Sequence, residues 1–327
     1  MLRLVMMGSG TFAEPTFQAL LAGSDPVVGV FTQPDRDAGV KRGSTRQVGR
    51  GMKEIAAEKN IPVFQPPDVN APEGLAMLRD LKPDLLVVAA YGQILSKETL
   101  SIPKMGGINV HASLLPKYRG AAPVAWAIYH GETKSGVTII RMSPSLDAGD
   151  MLAQESTDIL YGETAGELET RLSVLGARMA VETIAKRKDG PIAGTKQDRS
   201  LVTKAPKLKK EDGLIDWSRA AGQIALQIRA MQPWPTAYTF LHREGKEPMR
   251  LTIATTGKII GASSGSSPPM PGLLWSGDGN LWAFAGNSEA LQILELQPAG
   301  KKRMLAADFL RGHPLEAGDR LGEPPVA

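Results

Sequence analysis

The stretch GINVH, residues 107–111, puts an amide and an imidazole two positions apart, at Asn109 and His111, in an otherwise apolar run. In an extended segment, residues i and i+2 share a face and lie roughly 7 Å apart at Cα. Both polar side chains therefore leave one side, while Ile108 and Val110 leave the other. Polar groups so placed need polar partners or a cleft. A hydrogen-bonded pair inside a core would meet that need without any function. Two features argue for a cleft instead. The segment runs into ASLLPKYRGAAP, residues 112–123, a loop at a strand's carboxyl end, where open α/β sheets bind ligands. A carboxylate is also at hand in SLDAGDM, residues 145–151, as Asp147 or Asp150.

Amide, imidazole and carboxylate together suit attack on a carbonyl. The amide can donate to a developing oxyanion. The imidazole can donate as well or carry a proton, and the carboxylate can orient it. The protein need supply no nucleophile if the substrate brings its own amine. The spacing supports this chemistry without naming the acyl group.

Two other stretches could bind something. GSGTFA, residues 8–13, sets Gly8, Gly10 and Ala13 in the G-x-G-x-x-G/A pattern between a strand and a helix. The second strand, however, ends on Thr32 and Gln33, with no acidic residue to hold a ribose. A tight turn that needs glycines for packing is therefore preferred over a nicotinamide-dinucleotide site. Residues 36–53 carry Arg36, Lys41, Arg42, Arg46, Arg50 and Lys53 against Asp37, with few apolar residues. A solvated basic loop and a phosphate-tracking loop are both open at this point.

The elements that must position these groups are legible in outline. LRLVMM, PVVGVFT, IPVFQP and PDLLVVAAYG read as strands covered on both faces. Helical stretches around 52–60 and 72–81 separate the later ones, an alternation that predicts a doubly wound, mostly parallel sheet. GINVH and GVTIIRM extend it. A long helix is expected over 165–188, with a Thr164/Glu167 capping box and Leu168, Leu172, Leu175 and Met179 on one face. The polar, basic stretch after Gly190 reads as a linker. Beyond it, IDWSRAAGQIALQIRAMQPWP predicts a helix capped by Ser218 and stopped by Pro233. Short alternating runs with turn signals then suggest a small β-barrel or sandwich. The expected boundaries are a catalytic domain over 1–189, a linker over 190–209, a second domain over 210–313 and a frayed tail over 314–327.

Composition bounds the rest. The 327 residues are 42% hydrophobic and 22% charged, ordinary for a globular protein. No cysteine is present, which excludes disulfides, thiolate metal sites and cysteine nucleophiles. The four histidines are scattered, so no metal is expected. No apolar run is long enough to span a bilayer, and the first residues read as a strand. A cytoplasmic monomer with no membrane contact is the expectation. The net charge of +4 is by itself a weak hint of an anionic partner, and neither half of the chain is globally basic, so any polyanion site must come from local patches.

INVHASLLPKYRGAAP together with SLDAGDM resembles the signature of the folate-dependent formyltransferases. The resemblance implies a Rossmann-like catalytic domain and an N10-formyltetrahydrofolate donor. It makes Asn109, His111 and Asp147 the catalytic trio and puts Ser113, Leu114, Leu115 and Pro116 at the folate site. VVAAYGQIL, residues 87–95, is similar to the strand and loop lining the pterin pocket, which adds Tyr91 and Gly92.

GVFTQPDR, IPVFQP, LVTKAPKL, IDWS, QPWP and LQPAGKKRM resemble the branch of that family that formylates the α-amine of methionyl initiator tRNA for translation initiation. This likeness runs from about Leu2 to Arg311. It implies an OB-like C-terminal barrel that holds tRNA, and a basic loop that enters the acceptor end. The basic residues implied are Arg36, Lys41, Arg42 and Arg46 in the loop, with Lys207, Lys209, Lys301 and Lys302 further on. Val40 stands where the family often has arginine, so the loop's contacting residue need not match. The alternative is the same folate chemistry on a sugar nucleotide or another small amine.

Overall fold

The computed structural model describes residues 1–35, 51–261 and 268–324. The basic-loop residues Arg36, Lys41, Arg42 and Arg46 lie outside the described residues. The chain forms two compact units. One comprises Met1–Trp126, Thr133–Leu160 and Gly166–Lys207, the other Ala127–Glu132, Tyr161–Ala165 and Leu208–Ala327.

The first unit is built on strands β1 (Leu4–Gly8), β2 (Val27–Phe31), β3 (Val63–Phe64), β4 (Leu85–Ala89) and β5 (Gly107–His111). The short β6 (Arg119–Gly120) follows, then β7 (Lys134–Arg141), β8 (Met151–Asp158) and the short β9 (Lys204–Ala205). The main sheet runs β3-β2-β1-β4-β5-β7-β8. Its pairs are parallel as far as β5, and β7 and β8 are antiparallel additions. The order reverses between β1 and β4, the switch point at which such sheets open a crevice beyond the strands' carboxyl ends.

The helices up to Lys188 are α1 (Ala13–Leu21), α2 (Met52–Glu58), α3 (Pro72–Asp80), α4 (Lys97–Ser101), α5 (Pro123–Tyr129) and α6 (Ala165–Lys188). Local chemistry sets several ends. Pro72 opens α3, where its missing N–H costs nothing. The Ser96 hydroxyl accepts from Thr99 N and caps α4.

The central strands are apolar on both faces because both are covered. Val5, Met7, Phe31, Leu86 and Val88 share one cluster with Leu78, Tyr91 and Leu95. Leu4, Met6, Leu85 and Val87, on the other face, are equally buried. Each such side chain withdrawn from water is worth about 1.5–3 kcal/mol. Helix α6 occupies the predicted span. A Cβ on its Gly176 would meet Val110 Cγ1 at 2.5 Å, so glycine is what lets the helix lie close to β5. The Gly8 turn behaves as the packing reading requires. A Cβ there would meet Ala13 Cβ at 2.6 Å and the Ala89 carbonyl at 2.8 Å.

One strand escaped the sequence reading, and two expectations here need correction. Strand β8 was not legible, because MLAQESTD is half exposed and polar. The stretch after Gly190 is no free linker. As far as Lys207 it belongs to the first unit. There β9 pairs in parallel with β6 and Thr195 exchanges main-chain bonds with Met151. Ser218 is no helix cap either. Its hydroxyl and N–H both turn back to Asp216 Oδ1, and α7 (Ala221–Ala230) begins after Ala220.

The second unit carries strands β10 (Ala237–Arg243), β11 (Lys246–Ile260), β12 (Leu274–Gly277), β13 (Asn280–Phe284), β14 (Ala290–Pro298), β15 (Met304–Leu305) and β16 (Arg320–Gly322), with helix α8 at Ala306–Gly312. The antiparallel sheet runs β12-β13-β14-β11-β10-β16, and β15 pairs with β14. It curls until its ends meet, with Leu274 N donating to Asp319 O and Leu321 N to Gly272 O. The curl brings the two edges together at this point. The expected frayed tail therefore begins too early, since β16 at 320–322 is part of the sheet.

Asp319 locks that closure. It and Arg243 form an ion pair at 2.5 Å with side chains 2% and 10% exposed. Burial alone would raise the Asp319 carboxyl. The hydrogen bonds from Arg243 and Glu316 N and the charges of Arg243 and Lys246 outweigh it and hold the group below its ordinary value of 3.8. A carboxylate lowered on folding stabilises the fold in full above its unfolded value, and this is lost as pH falls through the folded one. Asp319→Asn should therefore cost about 3 kcal/mol at neutral pH. It should also flatten the loss of stability below about pH 4. Denaturant unfolding of both proteins at pH 7 and pH 3 measures this, and equal stability at pH 7 would contradict it.

Candidate active site

Strand β5 places Asn109 and His111 on one face, as the alternation requires, while Ile108 and Val110 are fully buried on the other. His111 is 5% exposed, and Asn109 is half-buried. The loop after β7 brings Asp147 to both. Asn109 Nδ2 lies 3.4 Å from Asp147 Oδ1, and His111 Nδ1 lies 3.7 Å from Asp147 Oδ2. Asp150 does not join them, because it pairs with Arg141 at 3.1 Å.

The partners fix the imidazole. His111 Nε2 lies 2.9 Å from the Tyr118 carbonyl oxygen. A carbonyl only accepts, so Nε2 carries a proton and donates it. Nδ1 is then the nitrogen left to exchange a proton, and it faces Asp147. Asp147 sits at φ 47°, in the left-handed region that asparagine and aspartate tolerate best. Its Oδ2 accepts from Gly120 N at 2.9 Å.

The loop from Ser113 to Pro116 is braced from beneath. Thr138 Oγ1 donates to Ser113 O at 2.7 Å and accepts from Leu115 N at 3.2 Å. Gln154 Nε2 donates to Leu115 O at 2.8 Å and to Thr138 Oγ1 at 2.9 Å. Ser113 Oγ donates to Lys117 O. Ser113 and Leu115 are thus buried scaffolding, while Leu114 and Pro116 stay half-buried. Tyr91 is core as well, packed with Leu78 and Leu95. Burial, with a smaller effect of Asp68, pushes its phenol far above its ordinary value. Its carbonyl takes the Gln33 amide at 2.8 Å. Gly92 follows at φ 85°, a conformation that suits glycine. Of the expected folate residues, Tyr91, Ser113 and Leu115 are thus buried.

Sequence reasoning missed Gln197, Thr138 and Gln154. Each bonds to main-chain atoms and to polar side chains far away in the sequence, a role that leaves no spacing to read. Lys207, Lys209, Lys301 and Lys302 are all exposed. Among the described residues, no group of three or more His, Cys, Asp and Glu could hold a metal ion, and no helix is long and apolar enough to cross a membrane.

An amide and an imidazole at the end of a parallel-sheet strand, facing a carboxylate, are groups that an acyl-transfer site could use. The Formyl transferase family matches residues 2–184, and its C-terminal domain matches residues 207–314. The class is thus a formyl transferase. The methionyl-tRNA formyltransferase of Citrifermentans bemidjiense is 46% identical over 98% of this chain and 97% of its own. That of Bacillus subtilis is 44% identical over 98% of each. The chain belongs to the methionyl-tRNA formyltransferase family. The fold recurs in a solved N-formyltransferase from Helicobacter canadensis, in complex with folinic acid and dTDP-3-aminofucose. That match has a TM-score of 0.65 at 17% identity and covers 90% of this chain and 99% of the other.

Proposed function

We infer that this chain transfers the formyl group of N10-formyltetrahydrofolate to the α-amine of methionyl initiator tRNA. The observation that carries the reading is the convergence of Asn109, His111 and Asp147 at the end of β5, in a chain related over its whole length to methionyl-tRNA formyltransferases. An amide N–H and an imidazole N–H are the donors a formyl oxygen needs as it gains charge, so these residues fit the donor. The bound folate supplies an electrophilic formyl carbon and N10 as leaving group.

The chain's own groups do the rest. Asn109 has a second amide N–H, beyond the long contact to Asp147, and donates it to the formyl oxygen. His111, anchored through Nε2–H, stabilises the same oxygen as its charge grows. Asp147 faces its Nδ1. Its Oδ2 is tied to Gly120 N–H, and Oδ1 is placed to take the proton of the attacking amine and pass it toward N10. The loop from Ser113 to Pro116 and the turn at Tyr91 and Gly92 form the folate side of the site.

The tRNA side uses Arg36, Lys41, Arg42 and Arg46 in the basic loop, with Lys207, Lys209, Lys301 and Lys302. In this reading residues 1–189 do the chemistry and residues 210–313 hold the tRNA. Phosphate contacts release counterions, so log affinity falls with log salt by about 0.9 per contact on a duplex. Lys41→Ala with Arg42→Ala should raise KM for methionyl initiator tRNA and reduce that slope by one to two contacts' worth, with kcat little changed. Initial rates with initiator and elongator tRNA at several salt concentrations test it. A salt-independent KM, or equal use of elongator tRNA, would count against the reading.

A further inference from the structure

Residues 195–205 bond both to the loop that follows His111 and to the loop that carries Asp147, and Gln197 bonds to both. Its Oε1 accepts from Arg119 Nε at 3.0 Å and Nη2 at 2.7 Å. Its Nε2 donates to the main-chain oxygens of Asp147 at 2.7 Å and Gly149 at 2.8 Å. A guanidinium only donates and a carbonyl only accepts, so these partners leave the amide one orientation.

The same strap holds the histidine's loop. Tyr118 N donates to Thr203 Oγ1 at 2.8 Å and Arg119 N to Thr203 O at 2.9 Å. Tyr118 is the residue whose carbonyl anchors His111, and Gly120 the one whose N–H meets Asp147. Asp147 keeps its left-handed backbone, at φ 47°, only if its surroundings hold it there. The Gln197 amide grips the turn on both sides of Ala148.

We propose that Gln197, held by Arg119, is a positioning residue for Asp147. It fixes the main chain at 147–149 so that the carboxylate faces His111 Nδ1 and Asn109. This rests on the reading of Asp147 as a catalytic group.

Gln197→Leu removes all four bonds at similar volume. A displacement of the carboxylate by about 1 Å predicts a kcat lower by roughly ten- to a hundredfold. KM for the folate and affinity for methionyl-tRNA should change less than about twofold. Gln197→Glu keeps an acceptor for Arg119 but loses both donors, so it should fall as far. It also carries the comparison if the leucine variant does not fold. In an Asp147→Asn background the same substitutions should cost no more than about twofold, because the group they position is already disabled.

Wild-type turnover in Gln197→Leu or Gln197→Glu would overturn the proposal. So would an undiminished cost in the Asp147→Asn background, which marks a general structural role. Full activity of Asp147→Asn alone would instead remove the catalytic reading on which the proposal stands.

Discussion

Asn109→Ala and His111→Ala should each slow formyl transfer at least about a hundredfold, while methionyl-tRNA affinity should stay within about twofold of wild type. The size follows from what each group does. Losing one preorganised oxyanion donor costs about 3 kcal/mol of barrier, and each 1.36 kcal/mol is about tenfold in rate. The two need not add, because in the proposed mechanism both act on one oxygen beside one carboxylate. His111→Ala also leaves the Tyr118 carbonyl without its donor. Its melting temperature must therefore be measured alongside, and Asn109→Ala, which leaves that anchor intact, is the cleaner variant. Single-turnover rates with enzyme in excess, paired with tRNA binding at equilibrium, separate chemistry from recognition. Near-normal rates in both variants would remove these residues from the mechanism.

Gly149→Ala is expected to do comparable damage without touching a reacting group. A Cβ at this position would sit 1.6 Å from the Arg141 carbonyl oxygen and 2.9 Å from its carbon. Backbone atoms of β7 cannot swing aside as a side-chain tip can, so the 145–150 turn must move. Asp147 is two residues away and moves with it. Misplacement by about 1 Å can cost about a hundredfold, and a lower melting temperature should accompany it. Gly222→Ala is the control. It lies in α7 with open space around its Cβ position, where alanine is the better helix former by about 1 kcal/mol. That variant should keep full turnover. Wild-type turnover in Gly149→Ala would mean that the turn's position does not govern the chemistry.

The parts legible in the sequence were those with a period or a rare combination of residue types. Buried strands such as Leu85–Ala89 announce themselves as continuous apolar runs. Helix α6 does so through its leucines at helical spacing and the Gly-Pro stop. Asn109 and His111 stood out because polar side chains on an apolar strand need an explanation; the glycine turn after the next strand offered Asp147 or Asp150, and the family resemblance chose Asp147. The parts that escaped lack any such signature. Strand β8 is a polar outer strand whose residues are set by pairing with β7. Residues 195–205 read as a linker because they are charged and aperiodic, yet side-chain amides and hydroxyls bonded to distant backbone hold them down. The last strand was lost among charged residues although Asp319 is almost fully buried. Burial of a carboxylate depends on a partner, here Arg243, that lies far away in the chain.

Transfer of a labelled formyl group tests the account most directly. N10-formyltetrahydrofolate labelled in its formyl carbon is offered to the purified protein with methionyl initiator tRNA and, in parallel, with a nucleotide-linked amino sugar. Label should appear on the methionyl α-amine, at a rate that collapses in Asn109→Ala, and not on the sugar. Label on the sugar amine, or on neither acceptor, would contradict it.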